Sequence, residues 1–404
     1  MLNINEIRLQ FPILSKKKSE KQCIYFDNAA TTHKPTQVIN SINDFYTNYN
    51  SNIQRGVYSL ANKATNKYEE SRGLISKLLN TRLKEEVIFT SGVTHSINMV
   101  AFGYLSNILL PGDEILIGEM EHHANIVPWQ AIASKMKFKI NVINCCKDGK
   151  IKIDDLRKKL NPNVKLLAIQ HVSNITGHEN NVKEICSIAH EENIKVFVDG
   201  AQAVSHKKID VQNLGCDFYT FSGHKCFGPT GVGVLYGKKS CLIKMDPFLY
   251  GGNMINKVSF EESSWGEIPH KFEAGTANIA GVIGLGESIK YISSVGLKNI
   301  QEREALLIKK MWHHLKSIDE VIVYTSTMPT SPIFSFNLKN IHSYDAGSLL
   351  DEMNICVRTG HLCAQTAINT LGVSGLIRAS LSFYNTEQEI ELFFAAIKKV
   401  LKFL

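Results

Sequence analysis

The sequence lacks the features that mark secreted proteins, membrane-spanning proteins and proteins stabilised by a bound metal. It opens Met1-Leu2-Asn3-Ile4-Asn5-Glu6, without the apolar segment of a secretory signal. No stretch approaches the roughly 18 apolar residues of a membrane span. The nine cysteines are odd in number and contain no C-x-x-C pair, which fits neither a disulfide framework nor a zinc site. We therefore predict a cytoplasmic protein with reduced thiols, no membrane association and no metal.

The chain also has only a small excess of positive charge. The 45 basic residues exceed the 38 acidic ones by only seven in 404 residues, and no arginine-rich face is visible. A nucleic-acid-binding protein should show a concentrated basic patch, so that class is not expected. With 10 prolines and 27 glycines in a chain that is 44% hydrophobic, disordered and collagen-like proteins are excluded too. The length favours two closely packed globular domains.

Short apolar runs alternate with helical segments between about residues 85 and 237. Their hydrophobicity is continuous rather than alternating, which is typical of strands buried on both faces of a mostly parallel sheet. The C-terminal part reads as smaller and α+β, ending in a helix with the capping box Thr386-x-x-Glu389 and an apolar face that extends to Leu404. We predict an α/β protein: a large domain over 22–293, and a small α+β domain formed by 1–21 and 294–404. The N-terminal helix at 4–10 is expected to pack with the small domain.

Two charged residues follow neighbouring apolar runs. The run 195–198 ends in Asp199, and the run 218–221 is followed by Ser222-Gly223-His224-Lys225. Ligands of parallel sheets bind at the carboxyl ends of the strands. A carboxylate that holds a pyridinium nitrogen protonated, and a lysine amine that forms a Schiff base, are what pyridoxal 5'-phosphate requires. Asp199 alone could equally be a helix N-cap.

Further polar residues are expected at the same sheet edge. Ser91-Gly92-Val93-Thr94 lies at a strand-to-helix turn, where backbone N–H groups attract a phosphate. Thr94, Ser222 and His224 could add donors, although many helix caps look similar. His122 could stack over a pyridine ring and carry protons, but a histidine pair such as His122-His123 is also common in surface turns.

Several motifs together resemble one family. The chain contains Phe11-Pro12-Ile13-Leu14, Tyr25-Phe26-Asp27-Asn28-Ala29-Ala30, Glu121-His122-His123-Ala124-Asn125-Ile126-Val127-Pro128-Trp129, Asp199-Gly200-Ala201-Gln202-Ala203, Ser222-Gly223-His224-Lys225 and Arg358-Thr359-Gly360-His361-x-Cys363-Ala364. In this order they resemble class II (SufS-like) cysteine desulfurases, which are fold-type I pyridoxal phosphate enzymes of the class V aminotransferase superfamily. The resemblance covers essentially the whole chain.

The resemblance implies a role for each matching residue. Lys225 would bind the cofactor covalently, Asp199 would pair with the pyridine nitrogen, Gln202 with the phenolic oxygen, and His122 would stack on the ring. The phosphate would be held by Thr94, Ser222, His224 and, from the other subunit, Thr276. The substrate would be held by Asn174, Arg378, Arg358 and Arg55.

Cys363 follows a glycine-containing turn beside Arg358 and His361. Neighbouring cations favour a reactive thiolate. By resemblance, the protein is a sulfurtransferase that converts L-cysteine to L-alanine with a persulfide on Cys363. It would be a homodimer that supplies a SufE- or SufU-like acceptor and the iron–sulfur scaffold machinery. The alternatives are a selenocysteine lyase, another class V lyase or aminotransferase, and a non-catalytic scaffold.

Four positions depart from the family pattern. Gln54 stands where a histidine is common, Ser91 and His95 stand where arginine and glutamate are common, and Leu249 begins a segment that is usually Glu-Gly-Gly-Gly. None belongs to the carbonyl chemistry. We expect them to affect the coupling between subunits or to the acceptor.

Overall fold

A computed structural model describes residues 2–15, 17–18 and 21–402. Leu404 of the predicted C-terminal apolar face lies outside these residues, as do residues 1, 16, 19, 20 and 403 of the predicted small domain. No helix in the described ranges is long and apolar enough to cross a membrane.

The strands of the described part of the chain are, in order, β1 Lys17–Lys18, β2 Lys21–Gln22, β3 Ile24–Tyr25, β4 Val87–Thr90, β5 Glu114–Gly118, β6 Lys139–Ile143, β7 Val164–Gln170, β8 Lys195–Asp199, β9 Phe218–Ser222, β10 Gly233–Gly237, β11 Ile255–Val258, β12 Ser263–Trp265, β13 Val321–Val323, β14 Ile333–Leu338, β15 Ile355–Cys356, β16 Arg358–Gly360 and β17 Leu376–Ser380.

The α-helices are α1 Ile4–Leu9, α2 Pro12–Ser15, α3 Thr36–Asn48, α4 Ser59–Leu79, α5 Val93–Met99, α6 Ser106–Ile108, α7 Val127–Met136, α8 Ile153–Lys159, α9 Val182–Glu191, α10 Val211–Leu214, α11 Lys239–Ile243, α12 Ile279–Val295, α13 Leu297–Lys316, α14 Ser343–Glu352, α15 Gln365–Thr370 and α16 Glu387–Val400. A π-helical segment, Val100–Leu105, joins α5 to α6, and 3-10 turns occur at Lys84–Glu86, His123–Asn125, Gly223–Lys225 and His270–Phe272.

A seven-stranded sheet forms the centre of the large domain, in the order β4-β10-β9-β8-β7-β5-β6. The pairs from β9 through β6 are parallel, while β10 runs antiparallel to β4 and β9. A parallel neighbour requires a crossover connection, usually a helix. The link from β9 to β10 spans residues 223–232, and its only helical element is the 3-10 turn Gly223–Lys225, so the chain returns in the opposite direction. The predicted mostly parallel sheet is confirmed.

Both faces of this sheet are buried, which explains the continuous apolar runs. Along β8, Val196 and Val198 belong to one core cluster, while Phe197, between them, belongs to the other. The first cluster includes apolar side chains of α4, α9 and α12, and the second includes those of α5 and α7. Successive side chains of a strand point to opposite faces, so a strand covered by helices on both sides has no polar positions in its interior.

The small domain is built on the antiparallel sheet β13-β14-β17-β16. Strand β3 pairs in parallel with β15, and its Ile24 and the following Phe26 pack in the cluster that contains the apolar face of α16. Helix α1 contacts both domains: Ile7 packs in a large-domain cluster, and Arg8 forms an ion pair with Glu389. The exact domain boundaries remain a prediction.

Candidate active site

The predicted site residues meet in a cavity of about 300 Å³ at the carboxyl edge of the central sheet. Parallel strands end at the same edge, so the residues that follow β5, β8 and β9 approach one another. The cavity is lined by Thr94, His122, Asn174, Asp199, Gln202, Ser222, His224, Lys225, Arg358, Cys363 and Arg378, among others. Arg55 and Thr276 lie on the exposed surface of the single chain and are not among its lining residues. Their roles and those of the lining residues remain predictions.

Lys225 and Asp199 form the charged centre of the cavity. Burial lowers the pKa of the Lys225 amine, an effect that Asp199 opposes and Arg378 reinforces. Burial raises the pKa of Asp199, while the backbone N–H of Ala201, 2.9 Å from its Oδ1, and the charge of Lys225 lower it. A lysine with a lowered pKa has more of its amine neutral and nucleophilic. Asp199 is 4% exposed, so its carboxylate would be stabilised further by a cation in the cavity.

The cavity end near α5 can accept an anion. The Ser222 Oγ accepts a hydrogen bond from Val93 N–H at 3.0 Å, which fixes the serine at the start of α5. A Cβ at Gly233 would lie 2.5 Å from the Cα of Gly92, so the close approach of β10 to this turn requires glycine. Burial and the charges of Lys225 and Lys34 lower the pKa of His224 to about 4. His224 is therefore neutral near pH 7, and one ring nitrogen carries a proton that can be donated to a phosphate.

His122 is held neutral by its surroundings. Burial, followed by the charges of Lys225, His123 and Arg378, lowers its pKa to about 3. Its Nδ1 accepts a hydrogen bond from Ala124 N–H at 3.0 Å, so the ring proton lies on Nε2. A neutral ring with a fixed tautomer can stack on an aromatic ligand and take part in proton transfer.

Asn174 and Arg378 each have a polar side-chain atom that is available to bind a ligand. The Nη1 of Arg378 donates to the carbonyl of Asn174 at 3.1 Å, and Nδ2 of Asn174 donates to the carbonyl of Leu362 at 3.0 Å. Arg378 Nε and Asn174 Oδ1 are buried and have no hydrogen-bond partner in the described part of the chain. Unsatisfied buried polar atoms are costly. A ligand carboxylate at Arg378 would satisfy the guanidinium.

Asp27, to which sequence reasoning assigned no role, contacts two arginines that line the cavity, Arg358 and Arg378. Its carboxylate accepts hydrogen bonds from Nε and Nη2 of Arg358, the shortest at 2.8 Å, and also lies 3.4 Å from Nη2 of Arg378. Asp27 lies within a recognised motif, but its arginine partners are more than 300 positions away in the chain. No local signal could have indicated these ion pairs.

The loop that carries Cys363 is conformationally strained. Leu362 and Cys363 have φ angles of 55° and 56°, in the left-handed region that side-chain-bearing residues rarely adopt. His123 binds this loop on both sides of the cysteine: its N–H donates to the Cys363 carbonyl at 2.7 Å, and its Nε2 accepts Gln365 N–H at 2.8 Å. Strained residues persist only where their surroundings hold them, and they cluster at active sites.

Replacing His123 with phenylalanine should therefore loosen the Cys363 loop. The ring volume is kept, but Gln365 N–H loses its acceptor, so we expect sulfur transfer to Cys363 to slow by about tenfold, the size of one hydrogen bond. Single-turnover kinetics of persulfide formation would measure this, and cofactor absorbance would show whether the remainder of the cavity is intact. An unchanged persulfide rate would contradict the positioning role.

None of the four residues that depart from the family pattern lines the cavity. Ser91 and His95 contact each other through Ser91 N–H and His95 Nδ1, at 3.2 Å, at the turn before α5. Gln54, with φ 74°, contacts His270 through its side chain at 3.1 Å. Leu249 is 50% exposed. Their predicted influence on subunit or acceptor coupling remains a prediction.

The amino-acid sequence is similar to those of known proteins. The family model described as "Aminotransferase class-V" matches residues 24–393. The chain belongs to the class-V aminotransferase family. A probable cysteine desulfurase of Halalkalibacterium halodurans is 44% identical over 398 residues, covering 98% of both chains. The cysteine desulfurase of Wigglesworthia glossinidia brevipalpis is 45% identical over 406 residues, covering 99% of this chain and 98% of that one.

Solved structures of the family agree with the fold. The apo cysteine desulfurase of Thermococcus onnurineus NA1 superimposes with a TM-score of 0.94 and 37% identity, covering 100% of this chain and 99% of that one. The cysteine desulfurase CsdA of Escherichia coli, in an S-sulfonic acid form, superimposes with a TM-score of 0.92 and 35% identity, covering 100% of both chains. The predicted family and the predicted fold class are confirmed.

The cavity residues fit pyridoxal 5'-phosphate, the cofactor predicted from the sequence. Asp199 presents a buried carboxylate to the cavity, Lys225 presents an amine, and His122 presents a neutral ring. Thr94 and Ser222 line the cavity near the start of α5. In the described residues, no cluster of three or more metal-ligating side chains is found.

Proposed function

We propose that this protein is a pyridoxal phosphate-dependent cysteine desulfurase, which converts L-cysteine to L-alanine and retains the sulfur as a persulfide on Cys363. One observation supports this most directly. An exposed cysteine on a strained loop lines the same cavity as Lys225, Asp199 and His122. A transamination mechanism does not require a nucleophilic thiol at that position.

Lys225, Asp199, His122 and Gln202 would hold the cofactor ring, and Thr94, Ser222 and His224 its phosphate. The bound cofactor would supply an electron sink for negative charge at the substrate Cα. The carboxylate of Asp199 would keep a protonated ring nitrogen charged, since a buried anion favours a neighbouring cation.

The substrate would be oriented by its carboxylate at Arg378, through a charge-assisted contact that uses the free Nε. Lys225 lines the same cavity as Arg378, so a substrate bound at Arg378 would have its amino group and Cα proton available to Lys225. The Lys225 amine, made more neutral by burial, then removes the Cα proton as a general base. The Nε2 proton of His122 can be donated during the later protonation at carbon.

The sulfur step belongs to Cys363. Its thiolate attacks the substrate sulfur, forming the S–S bond of a persulfide while the Cβ–S bond breaks. The electron pair of that bond passes to the substrate carbon skeleton, which takes up a proton and leaves as alanine. No external oxidant or reductant is needed.

Further predictions concern the partners of the protein and its location in the cell. Arg55 and Thr276 are exposed in the single chain, as are apolar side chains such as Val57 (95% exposed) and Phe260 (107%). A homodimer in which Thr276 reaches the other subunit's phosphate site would cover part of this surface. The exposed Cys363 would pass its sulfur to a SufE- or SufU-like acceptor for iron–sulfur cluster assembly, in the cytoplasm.

The decisive experiment is incubation of the cofactor-loaded protein with L-cysteine. Alanine and protein-bound persulfide should appear in equal amounts in the first turnover. Turnover of L-selenocysteine without persulfide formation from L-cysteine would point to the lyase alternative and contradict the proposal.

Replacing Asp199 with asparagine should slow Cα-proton removal. The variant keeps an acceptor for Ala201 N–H but loses the charge that stabilises a protonated ring nitrogen. We expect kcat to fall by about 10²–10³-fold, as for the loss of one preorganised electrostatic contact. The rate of deuterium exchange at the substrate Cα isolates this step, and an exchange rate equal to that of the unaltered protein would mean that the assignment of Asp199 is wrong.

A further inference from the structure

The carboxyl group of Glu121 is buried next to His122 and accepts hydrogen bonds from two different elements. Glu121 is 1% exposed and lies just after β5. Its Oε1 accepts from the backbone N–H of Gln170 at 3.0 Å, and its Oε2 accepts from Nδ2 of Asn125 at 2.7 Å. Gln170 also donates from its side-chain Nε2 to the carbonyl of Met120 at 2.7 Å. The chain immediately before His122 is therefore tied to β7 twice.

The chain after His122 is bound to the same carboxyl group. Asn125 N–H donates to the His122 carbonyl at 2.8 Å, while the Asn125 side chain reaches back to Glu121. The Oδ1 of Asn125 accepts from Nε1 of Trp129 at 3.0 Å, and both residues are fully buried. An indole N–H can only donate, so it fixes the orientation of the Asn125 amide and directs Nδ2 to Glu121. Glu121 and Asn125 thus enclose the turn that carries His122.

The end of β5 leaves space for this carboxyl group. A Cβ at Gly118 would lie 2.5 Å from Oε1 of Glu121, so the close approach requires glycine. On the other side, Gln170 of β7 pairs directly with Asp199 of β8. The strand residue that binds Glu121 is therefore the neighbour of the carboxylate predicted to pair with the cofactor ring.

The network depends on an acceptor oxygen at position 121. Burial and, to a smaller extent, the charge of Asp199 raise the pKa of Glu121 to about 8, although the hydrogen bonds from Asn125 and Gln170 lower it. In either protonation state a carboxyl oxygen can accept from Asn125 Nδ2, whereas an amide nitrogen cannot.

We propose that Glu121 is a positioning residue, which holds the His122 ring in a fixed place in the cavity by binding β7 and Asn125 at once. Glu121 itself does not line the cavity, whereas His122 does. Buried polar networks in which every member is satisfied hold their side chains rigidly. The inference rests on the proposed function only in giving His122 a place beside the cofactor ring.

The first test measures the His122 ring in the full-length protein before cofactor loading, without any turnover. Acylation of a histidine by diethyl pyrocarbonate needs a free lone pair on a ring nitrogen, and that of Nδ1 is held by Ala124 N–H. In Glu121→Gln, the new amide nitrogen must face either Asn125 Nδ2 or Gln170 N–H, donor against donor, and the turn should loosen. We expect His122, identified by peptide mass mapping, to react about five- to tenfold faster, the scale of one hydrogen bond. An unchanged rate would overturn the inference.

Exchange of the two side chains should restore the network. In Glu121→Gln/Asn125→Asp, the amide nitrogen at position 121 can donate to one oxygen at position 125, and the other oxygen can accept from Trp129. We expect the acylation rate of His122 to return to that of the unaltered protein. Asn125→Asp alone, which sets two carboxyl groups side by side, should resemble Glu121→Gln. A double variant as reactive as the two single ones would contradict the inference.

The second test uses the cofactor-loaded protein. Glu121→Gln should lower kcat for L-cysteine by about tenfold per bound cofactor and leave KM unchanged, because Arg378, which would bind the substrate carboxylate, lies on β17. In a His122→Ala background the same substitution should have no further effect, since residues that act through one group are not additive. A further fall of equal size there would show that Glu121 acts by another route, such as the charge of Asp199, and would overturn the inference.

Glu86→Gln is the matched control for the loss of a buried carboxyl group. Glu86 is 4% exposed, accepts from the backbone N–H groups of Arg82 and Leu83 at 3.1 and 3.3 Å, and does not line the cavity. It should lower thermal stability and leave His122 acylation and kcat unchanged, and the same pattern in Glu121→Gln would contradict the inference. Absence of persulfide formation from L-cysteine in the unaltered protein would instead refute the proposed function, without affecting the acylation rates.

Discussion

Replacing Cys363 with alanine should abolish persulfide formation and sustained alanine production from L-cysteine. The variant removes only the thiol that accepts sulfur, since Lys225 and Asp199 lie on other elements of the cavity wall. We expect L-cysteine still to bind and to change the cofactor absorbance, and exchange of the Cα proton to continue. Mass spectrometry of the protein and an alanine assay would measure the two losses.

Cys146→Ala is the matched control, because Cys146 is also partly exposed but does not line the cavity. It should behave as the unaltered protein does. A selenocysteine substrate could still turn over in Cys363→Ala, because selenium leaves carbon more readily than sulfur does. Alanine formation from L-cysteine at an undiminished rate would require the nucleophile role of Cys363 to be withdrawn.

Replacing Lys225 with methionine should remove both covalent attachment of the cofactor and the general base. Methionine keeps the apolar stem but has no amine, so we expect kcat to fall by at least about 10⁴-fold, the upper range for loss of a positioned base. Borohydride treatment of the unaltered protein should fix the cofactor to Lys225, as peptide mapping would show, and should fix none in the variant.

Lys165→Met tests whether loss of any partly buried lysine has this effect. Lys165 lies near Asp113, at 3.7 Å, on the strand that begins at Val164. Cofactor attachment and turnover should be unchanged in that variant. Attachment of the cofactor to a lysine other than Lys225 would contradict the central assignment of the site.

The centre of the site was predictable because its residues follow recognisable strands. Asp199 ends β8 and Lys225 follows β9, and strand ends in a parallel sheet converge whatever the details of packing. The antiparallel direction of β10 was not predictable from its apolar residues, because a buried strand shows the same pattern in either direction. It follows from the short link through Gly223–Lys225, which leaves no room for a crossover helix.

The sequence by itself determined the fold class, the family and the cavity residues that carry recognisable motifs. Tertiary structure alone decided the pairing of Asp27 with Arg358 across 331 positions, and the contact of His123 with Gln365 across 242. It also decided the left-handed backbone at Leu362 and Cys363, which the residue types there disfavour. The physical reason is the range of the interactions: strand burial and helix caps are set by neighbours in the chain, whereas ion pairs and a strained loop depend on which distant segments the packed domains bring together.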